Sequence, residues 1–354
     1  MTPEASDTRR RLVGVDVARG LAVLLMVQTH AYDAWVRSDE RASFAYNVTR
    51  ALGAIPAPLF LFLAGVGIAL AEARARDARA LRTKLARRGL EIVLWGYVVS
   101  LAYAALDASL RVASLLRADI LHAIGLSIAI CAVLLVGVGE RSRVLGTALL
   151  VAVALAAGPA FAWAGGARVV PPLARPIVAL VVDVPPYTRF PVLPLVVFSI
   201  AGIFFGRWLG RAREARSVFV WIGGAVAMAA LSALLAIATR AAVAAIGGRL
   251  SREHPAVVIN VLDGLARSLA VVLLGLGLDV RAPRWLVRLG QASLFAYAFH
   301  IPFCYARFAR PLWHRFGMLE ATGLVIALMA LTFAAVALRD AVEARLVART
   351  RRSR

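Results

Sequence analysis

Apolar runs of about 20 residues, each bounded by charge or by a Pro/Gly turn, recur along nearly the whole chain. A run of that length crosses the hydrocarbon core of a bilayer as a helix, since lipid offers the backbone no hydrogen-bond partner. Ten are predicted, at roughly 20–37, 53–73, 89–107, 119–138, 144–164, 191–210, 217–239, 257–278, 285–305 and 319–338. The connectors are short and leave no room for a separate soluble domain. The longer one, 165–190, carries Pro171, Pro172, Pro176, Pro185 and Pro186 and is expected to be an ordered or semi-helical surface loop. The predicted fold is all-α: a single polytopic transmembrane helical bundle over 1–354, about ten spans, with short basic tails at 1–11 and 339–354. The first run continues through Gln28 and His30 without a small-x-small cleavage site, so it is expected to be an uncleaved span.

Composition agrees with that reading. Hydrophobic residues make up 61% of the 354, well above the roughly 45–50% of soluble domains, and disordered chains are apolar-poor. The charge needs more care, because 41 Lys+Arg against 20 Asp+Glu leaves +21. In a soluble protein such an excess points to nucleic acid. Here, with the N-terminus inside, 25 of the 41 basic residues fall in cytoplasmic segments and 14 on the opposite side. The densest run is Arg74, Arg76, Arg79, Arg82, Lys84, Arg87 and Arg88. The excess follows the positive-inside rule, with both termini cytoplasmic. No nucleic-acid partner is expected; a supporting role toward anionic lipid or an anionic cofactor stays open. Cys131 and Cys304 lie inside predicted spans and form neither a disulfide framework nor a metal-ligand spacing, so no metal is expected.

Ionisable groups in the hydrocarbon region are costly and mark functional sites by default. Arg19 and His30, eleven residues apart, lie within about 20° of whole helical turns and roughly 16.5 Å apart in rise, so both point to one face. Asp16 is one turn from Arg19 and can pair with it. Asp119 and His122 open the fourth span at its outer rim. There Asp119 either orients the imidazole or caps the helix. Asp263 and Arg267, at i,i+4, form an intrahelical pair that either neutralises itself while packing the bundle or supports a site. His300 reaches the outer half of the ninth span. On this topology His30, Asp119, His122, Asp263, Arg267 and His300, from four spans, map to one depth, as expected of a site built inside a helical bundle. Two chemistries use such a cluster: group transfer from an anionic cytoplasmic donor to an external acceptor, and a transporter or flippase with a substrate or proton path. Gly202, Gly206 and Gly210 form a small-residue stripe for close helix contact.

At these residues the sequence resembles the transmembrane acyltransferase superfamily, most closely the bacterial relatives of heparan-alpha-glucosaminide N-acetyltransferase. The matches are Arg11-Leu12 through Val15-Asp16-Val17-Ala18-Arg19-Gly20 to Met26 and His30; Pro56-Ala57-Pro58 through Gly65; Asp119-Ile120-Leu121-His122 through Leu126; Phe190-Pro191-Val192-Leu193-Pro194 with Gly202 and Gly206-Arg207; and Ser293 through Tyr297 to His300. The Arg19–His30 spacing is also similar to the acyltransferase-three family. Leu195 stands where the family has tryptophan, and the large luminal domain of the animal enzyme has no counterpart, so a heparan acceptor is not expected. The resemblance implies an acyl-CoA co-substrate, usually acetyl-CoA, reached from the cytoplasm. It implies a hydroxyl or amine acceptor, on an envelope glycan or small molecule, at the outer face of a bacterial inner membrane. It implies a catalytic histidine: His30 as general base or as an acyl-histidine, with Asp119, His122 and His300 beside it and Asp16–Arg19 holding the donor. The bilayer is an expected partner, and homo-oligomers are compatible with the reading.

Overall fold

The computed structural model describes residues 12–107, 112–214, 253–278 and 282–352, with single helical positions between 223 and 238. Among these residues the main helices are α1 (Val13–Trp35), α2 (Phe44–Gly53), α3 (Pro56–Glu72), α4 (Ala78–Asp107), α5 (Ile120–Leu135), α6 (Glu140–Trp163), α7 (Val192–Glu214), α8 (Glu253–Gly277), α9 (Arg284–Gln291), α10 (Ser293–Tyr305) and α11 (Met318–Arg352). The described residues form no strand beyond two isolated bridges, Val36–Phe316 and Ala118–Thr188.

Seven described stretches are long and apolar enough to cross a membrane: Val13–Trp35, Phe44–Glu72, Ala78–Leu106, Glu140–Trp163, Val192–Arg211, Val257–Gly277 and Met318–Leu346. The ten expected runs differ from this at three places. The fourth run is α5, whose 16 residues rise only roughly 24 Å against a hydrocarbon core of about 30 Å. It is cut short by the Asp119 cap at one end and by Gly137, with φ 66°, at the other. The ninth run is two helices broken at Ala292. The first of these, α9, is amphipathic: Leu286, Leu289 and Gly290 are buried while Arg284 and Arg288 are exposed. Most of the seventh run, 217–239, lies outside the described residues.

The chain divides into two compact units, the larger mainly Ala57–Ala105 with Ser109–Leu273, the smaller mainly Arg10–Pro56 with Leu274–Arg354. In the larger unit α3 and α7 touch through their backbones. A Cβ on Gly65 would strike the Ser199 carbonyl, and one on Gly202 would strike the Phe62 carbonyl. Ser199 Oγ donates to the Leu61 carbonyl at 2.9 Å and seals that contact. Gly206 meets Val66 and Ala69, whereas Gly210 faces open space, so the expected glycine stripe ends one turn early. By contrast α4 and α6 turn Leu94, Trp95, Val98, Leu145 and Leu149 outward, which suits helices bathed in lipid tails.

The proline-rich connector is ordered, as expected. Two 3-10 turns and the short helix Arg175–Val178 lead into a small cluster of Ala179, Val182 and Val184. The Thr188 hydroxyl sits at its centre, accepting from the Val184 N–H at 2.8 Å and donating toward the Ala179 and Val182 carbonyls. The connector then straps the residue before α5: Ala118 N–H donates to Tyr187 O at 2.7 Å, and Arg189 N–H donates to Ala118 O at 2.9 Å.

The smaller unit is built around α1, with α2, α9, α10 and α11 against it. A Cβ on Gly20 would strike the Leu286 carbonyl, and one on Gly290 would strike the Asp16 carbonyl. Overpacking of this kind costs about 1–3 kcal/mol. Gly290→Ala is therefore expected to lower the unfolding temperature of the detergent-solubilised protein, while Gly210→Ala leaves it unchanged or raises it. Equal effects would show that the α1–α9 contact is not tight.

Candidate functional site

α1 and α10 bring two histidines together across 270 residues of sequence. His30 Nδ1 lies 2.8 Å from His300 Nε2. The ring centroids are 5.1 Å apart with planes within 11°, the spacing of two imidazoles joined edge to edge by an in-line bond. His300 Nδ1 lies 2.7 Å from the Ala296 carbonyl one turn back. These contacts fix the tautomers. A carbonyl only accepts, so His300 carries its proton on Nδ1 and presents the Nε2 lone pair. His30 must then donate from Nδ1, which puts the lone pair of its neutral ring on Nε2. The result is a neutral chain, His30 to His300 to a main-chain carbonyl, with a basic nitrogen at its outer end.

Burial grades along this chain. His300 is fully buried, His30 and Tyr305 are half-buried, and Asp33 is exposed. The Tyr305 hydroxyl donates to Asp33 Oδ2 at 2.9 Å, and its ring stands edge-on to His30 at 5.8 Å. Neither Tyr305 nor Asp33 was singled out by sequence reasoning. The available signal is spacing: Asp33 follows His30 by three residues, one helical turn, and Tyr305 lies five beyond His300.

Further along α1, the Asp16 side chain is 3% exposed and the Arg19 side chain 28%. Arg19 Nη1 lies 3.3 Å from Asp16 Oδ1, and Gln291 Nε2 donates to Asp16 Oδ2 at 3.2 Å. The carboxylate is thus tied to the α1–α9 contact and orients the guanidinium, which keeps partial access to solvent.

Asp119 and His122 belong to the larger unit and form a reciprocal cap at the start of α5. The Asp119 carboxylate accepts from Ile120 N–H at 2.8 Å and from the His122 backbone. The Asp119 backbone N–H in turn donates to His122 Nδ1 at 3.0 Å. The hydrogen bond that orients this imidazole therefore comes from the main chain, where sequence reasoning looked to the carboxylate. With Nδ1 accepting, the neutral ring carries its proton on Nε2, the opposite tautomer from His30. His122 is fully buried, and Nε2 has no hydrogen-bond partner among the described residues. The ring is wedged against Gly96, where a Cβ would lie 2.8 Å from Cε1, and against the Tyr97 ring at 4.3 Å. It is a fixed N–H donor, able to serve an oxygen that carries negative charge.

Asp263 and Arg267 pair within α8, Oδ2 to Nη2 at 3.8 Å. Of the residues expected to meet, His30 and His300 are joined in the smaller unit. Asp119–His122 and Asp263–Arg267 are local pairs in the larger one.

A protein-family model described as heparan-alpha-glucosaminide N-acetyltransferase, catalytic, matches residues 11–245, about two thirds of the chain. The chain belongs to that family. No curated protein matches it. The matched stretch of this family member holds Asp16, Arg19, His30, Asp119 and His122, while Asp263, Arg267 and His300 lie beyond it. Family membership and the seven apolar stretches make the chain an integral membrane protein of the acetyltransferase class.

Losing a helix N-cap costs about 1 kcal/mol. Asp119→Ala is expected to lower stability by that order in thermal unfolding, while Asp119→Asn, which keeps a capping oxygen, changes it by a few tenths. A large loss in Asp119→Asn would mean that the negative charge, rather than the cap, is what the site needs.

Proposed function

We propose that this protein transfers an acyl group, acetyl in the simplest case, from acyl-CoA to a hydroxyl or amine acceptor at the outer face of the membrane. The carrying observation is the His30–His300–Ala296 chain, supported by family membership. His30 Nε2 takes the proton of the acceptor hydroxyl or amine as the acceptor attacks the acyl carbonyl carbon. The carbon–sulfur bond breaks, and the CoA thiolate leaves and recovers a proton. The positive charge that forms on His30 is stabilised through Nδ1–H by His300, whose own Nδ1–H rests on the Ala296 carbonyl. His300 thus holds the ring and its tautomer, in the role a carboxylate has behind the histidine of a hydrolase triad. Arg19, steadied by Asp16, is a donor for phosphate or amide oxygens of the co-substrate. The arginine asymmetry of the sequence supports both termini on the cytoplasmic side of a bacterial inner membrane, with the acceptor an envelope glycan or small molecule.

Purified protein supplied with radiolabelled acetyl-CoA and envelope extract tests this reading. General-base catalysis contributes about 10²–10⁴-fold, so His30→Ala is expected to reduce CoA release and label transfer by that order. His300→Phe should lower kcat with little change in KM. Acid quench in mid-turnover should leave no label on the protein; label retained at His30 would establish an acyl-enzyme instead. Undiminished transfer in His30→Ala would overturn the assignment of His30 as the base.

A further inference from the structure

At one end of the larger unit, Glu72 of α3 receives two arginines, with a third, Arg82 of α4, at the nearby Val136 carbonyl. Arg207 of α7 grips Glu72 Oε2 through Nε at 2.9 Å and Nη2 at 2.7 Å. Arg143 of α6 stands 3.7 Å from Glu72 Oε1, and Gly137 N–H donates to the same oxygen at 3.3 Å. The guanidinium groups also close the C-terminal end of α5 and the turn that follows it. Arg207 Nη2 donates to Leu135 O at 3.1 Å, Arg82 Nη2 to Val136 O at 3.0 Å and Arg143 Nη2 to Val138 O at 3.0 Å. A helix C-terminus carries partial negative charge, so these bonds explain why arginines gather there.

They do not account for the rest of the donors. Arg82 Nε, Arg143 Nε and Arg207 Nη1 are all buried and have no hydrogen-bond partner among the described residues. Two arginines share the Glu72 carboxylate and Arg82 is held by a main-chain carbonyl, which leaves an excess of positive charge in a place where unpaired polar groups are costly. The side chains of Arg207 and Arg143 are 11% and 27% exposed, so part of each meets solvent while the orphaned nitrogens themselves are buried. Gly137 allows the tight turn here: at φ 66° it turns the chain away from α5, and a Cβ there would strike the Ala78 Cβ. Orphaned guanidinium N–H groups in a group of three are satisfied best by a tetrahedral oxyanion, whose several oxygens accept charge-assisted bonds at once.

The geometry points to a phosphate-binding site formed by Arg143 and Arg207 at Glu72 together with Arg82 at the end of α5, using residues other than Arg19. The phosphate comes either from the nucleotide end of a CoA co-substrate, which rests on the proposed function, or from an anionic lipid headgroup, which does not.

The full-length protein in phosphatidylcholine nanodiscs tests the site. CoA is titrated in one arm, and phosphatidylglycerol replaces part of the lipid in the other; unfolding temperature and bound ligand are read in both. Arg207 is left intact because it holds Glu72. In the arm where phosphate is recognised, Arg82→Gln and Arg143→Gln are each expected to weaken binding about tenfold, the loss of one charge-assisted bond. The double variant should abolish the stabilisation, and Glu72→Gln should tighten binding by removing the competing charge. A response to CoA alone assigns the site to the co-substrate, and a response to phosphatidylglycerol alone assigns it to lipid. If neither probe binds, or if binding is unchanged in the double variant, the phosphate site is overturned. Phosphate binding that survives in a protein with no CoA-releasing activity would remove the acyltransferase reading and leave this site standing.

Discussion

The organising constraint is that a polar group inside an apolar helical bundle must find its partner within the chain. Most of the buried polar groups described here obey it in small, closed arrangements. Asp16 is held by Arg19 and Gln291, Ser199 by the Leu61 carbonyl, and His300 by His30 and Ala296. Where helices must come close enough to make such bonds, glycine removes the obstacle: Gly20 and Gly290 between α1 and α9, Gly65 and Gly202 between α3 and α7. Against this background the unsatisfied donors stand out. In the larger unit His122 Nε2 and three guanidinium nitrogens, along with the Ser127, Thr147 and Ser268 hydroxyls, have no partner among the described residues.

The two histidine sites show how main-chain groups set side-chain chemistry. His300 rests on a carbonyl, which forces it to accept at its other nitrogen and leaves the lone pair of His30 on Nε2. His122 rests on a backbone N–H, which forces the proton to the far nitrogen and makes it a donor. The same residue type acquires opposite behaviour because one partner is a C=O and the other an N–H. Neither outcome needs a carboxylate, and a neutral relay avoids burying an unpaired charge in an apolar surrounding.

Much of this was legible in the sequence, and the limits have physical causes. Length and apolar content alone reveal α1, α3, α4, α6, α7, α8 and α11, because a span is a local property. The eleven-residue spacing of Arg19 and His30 gives their shared face, since helical periodicity is also local. The His30–His300 bond was not legible, because nothing near either residue records which distant helix it will touch. The break at Ala292 was hidden for the same reason: 285–305 is apolar enough to read as one run, and the contacts of Gly290 and Gln291 with Asp16 of α1, just before the break, are made with a distant part of the chain. At Asp119 both local readings were available, a cap and a partner for His122. The structure uses the residue for both, with the backbone rather than the carboxylate orienting the ring.

The innermost member of the histidine relay is a peptide carbonyl of Ala296. A carboxylate in that place could be lost by a single base change; this oxygen cannot, because every amino acid supplies it. The relay itself therefore sets no side-chain identity at residue 296; that is set by packing, since Ala296 is fully buried and its N–H donates to the Ala292 carbonyl. Drift can rewrite the neighbourhood of such a site without dismantling its chemistry, provided the helical turn from 296 to 300 stays wound.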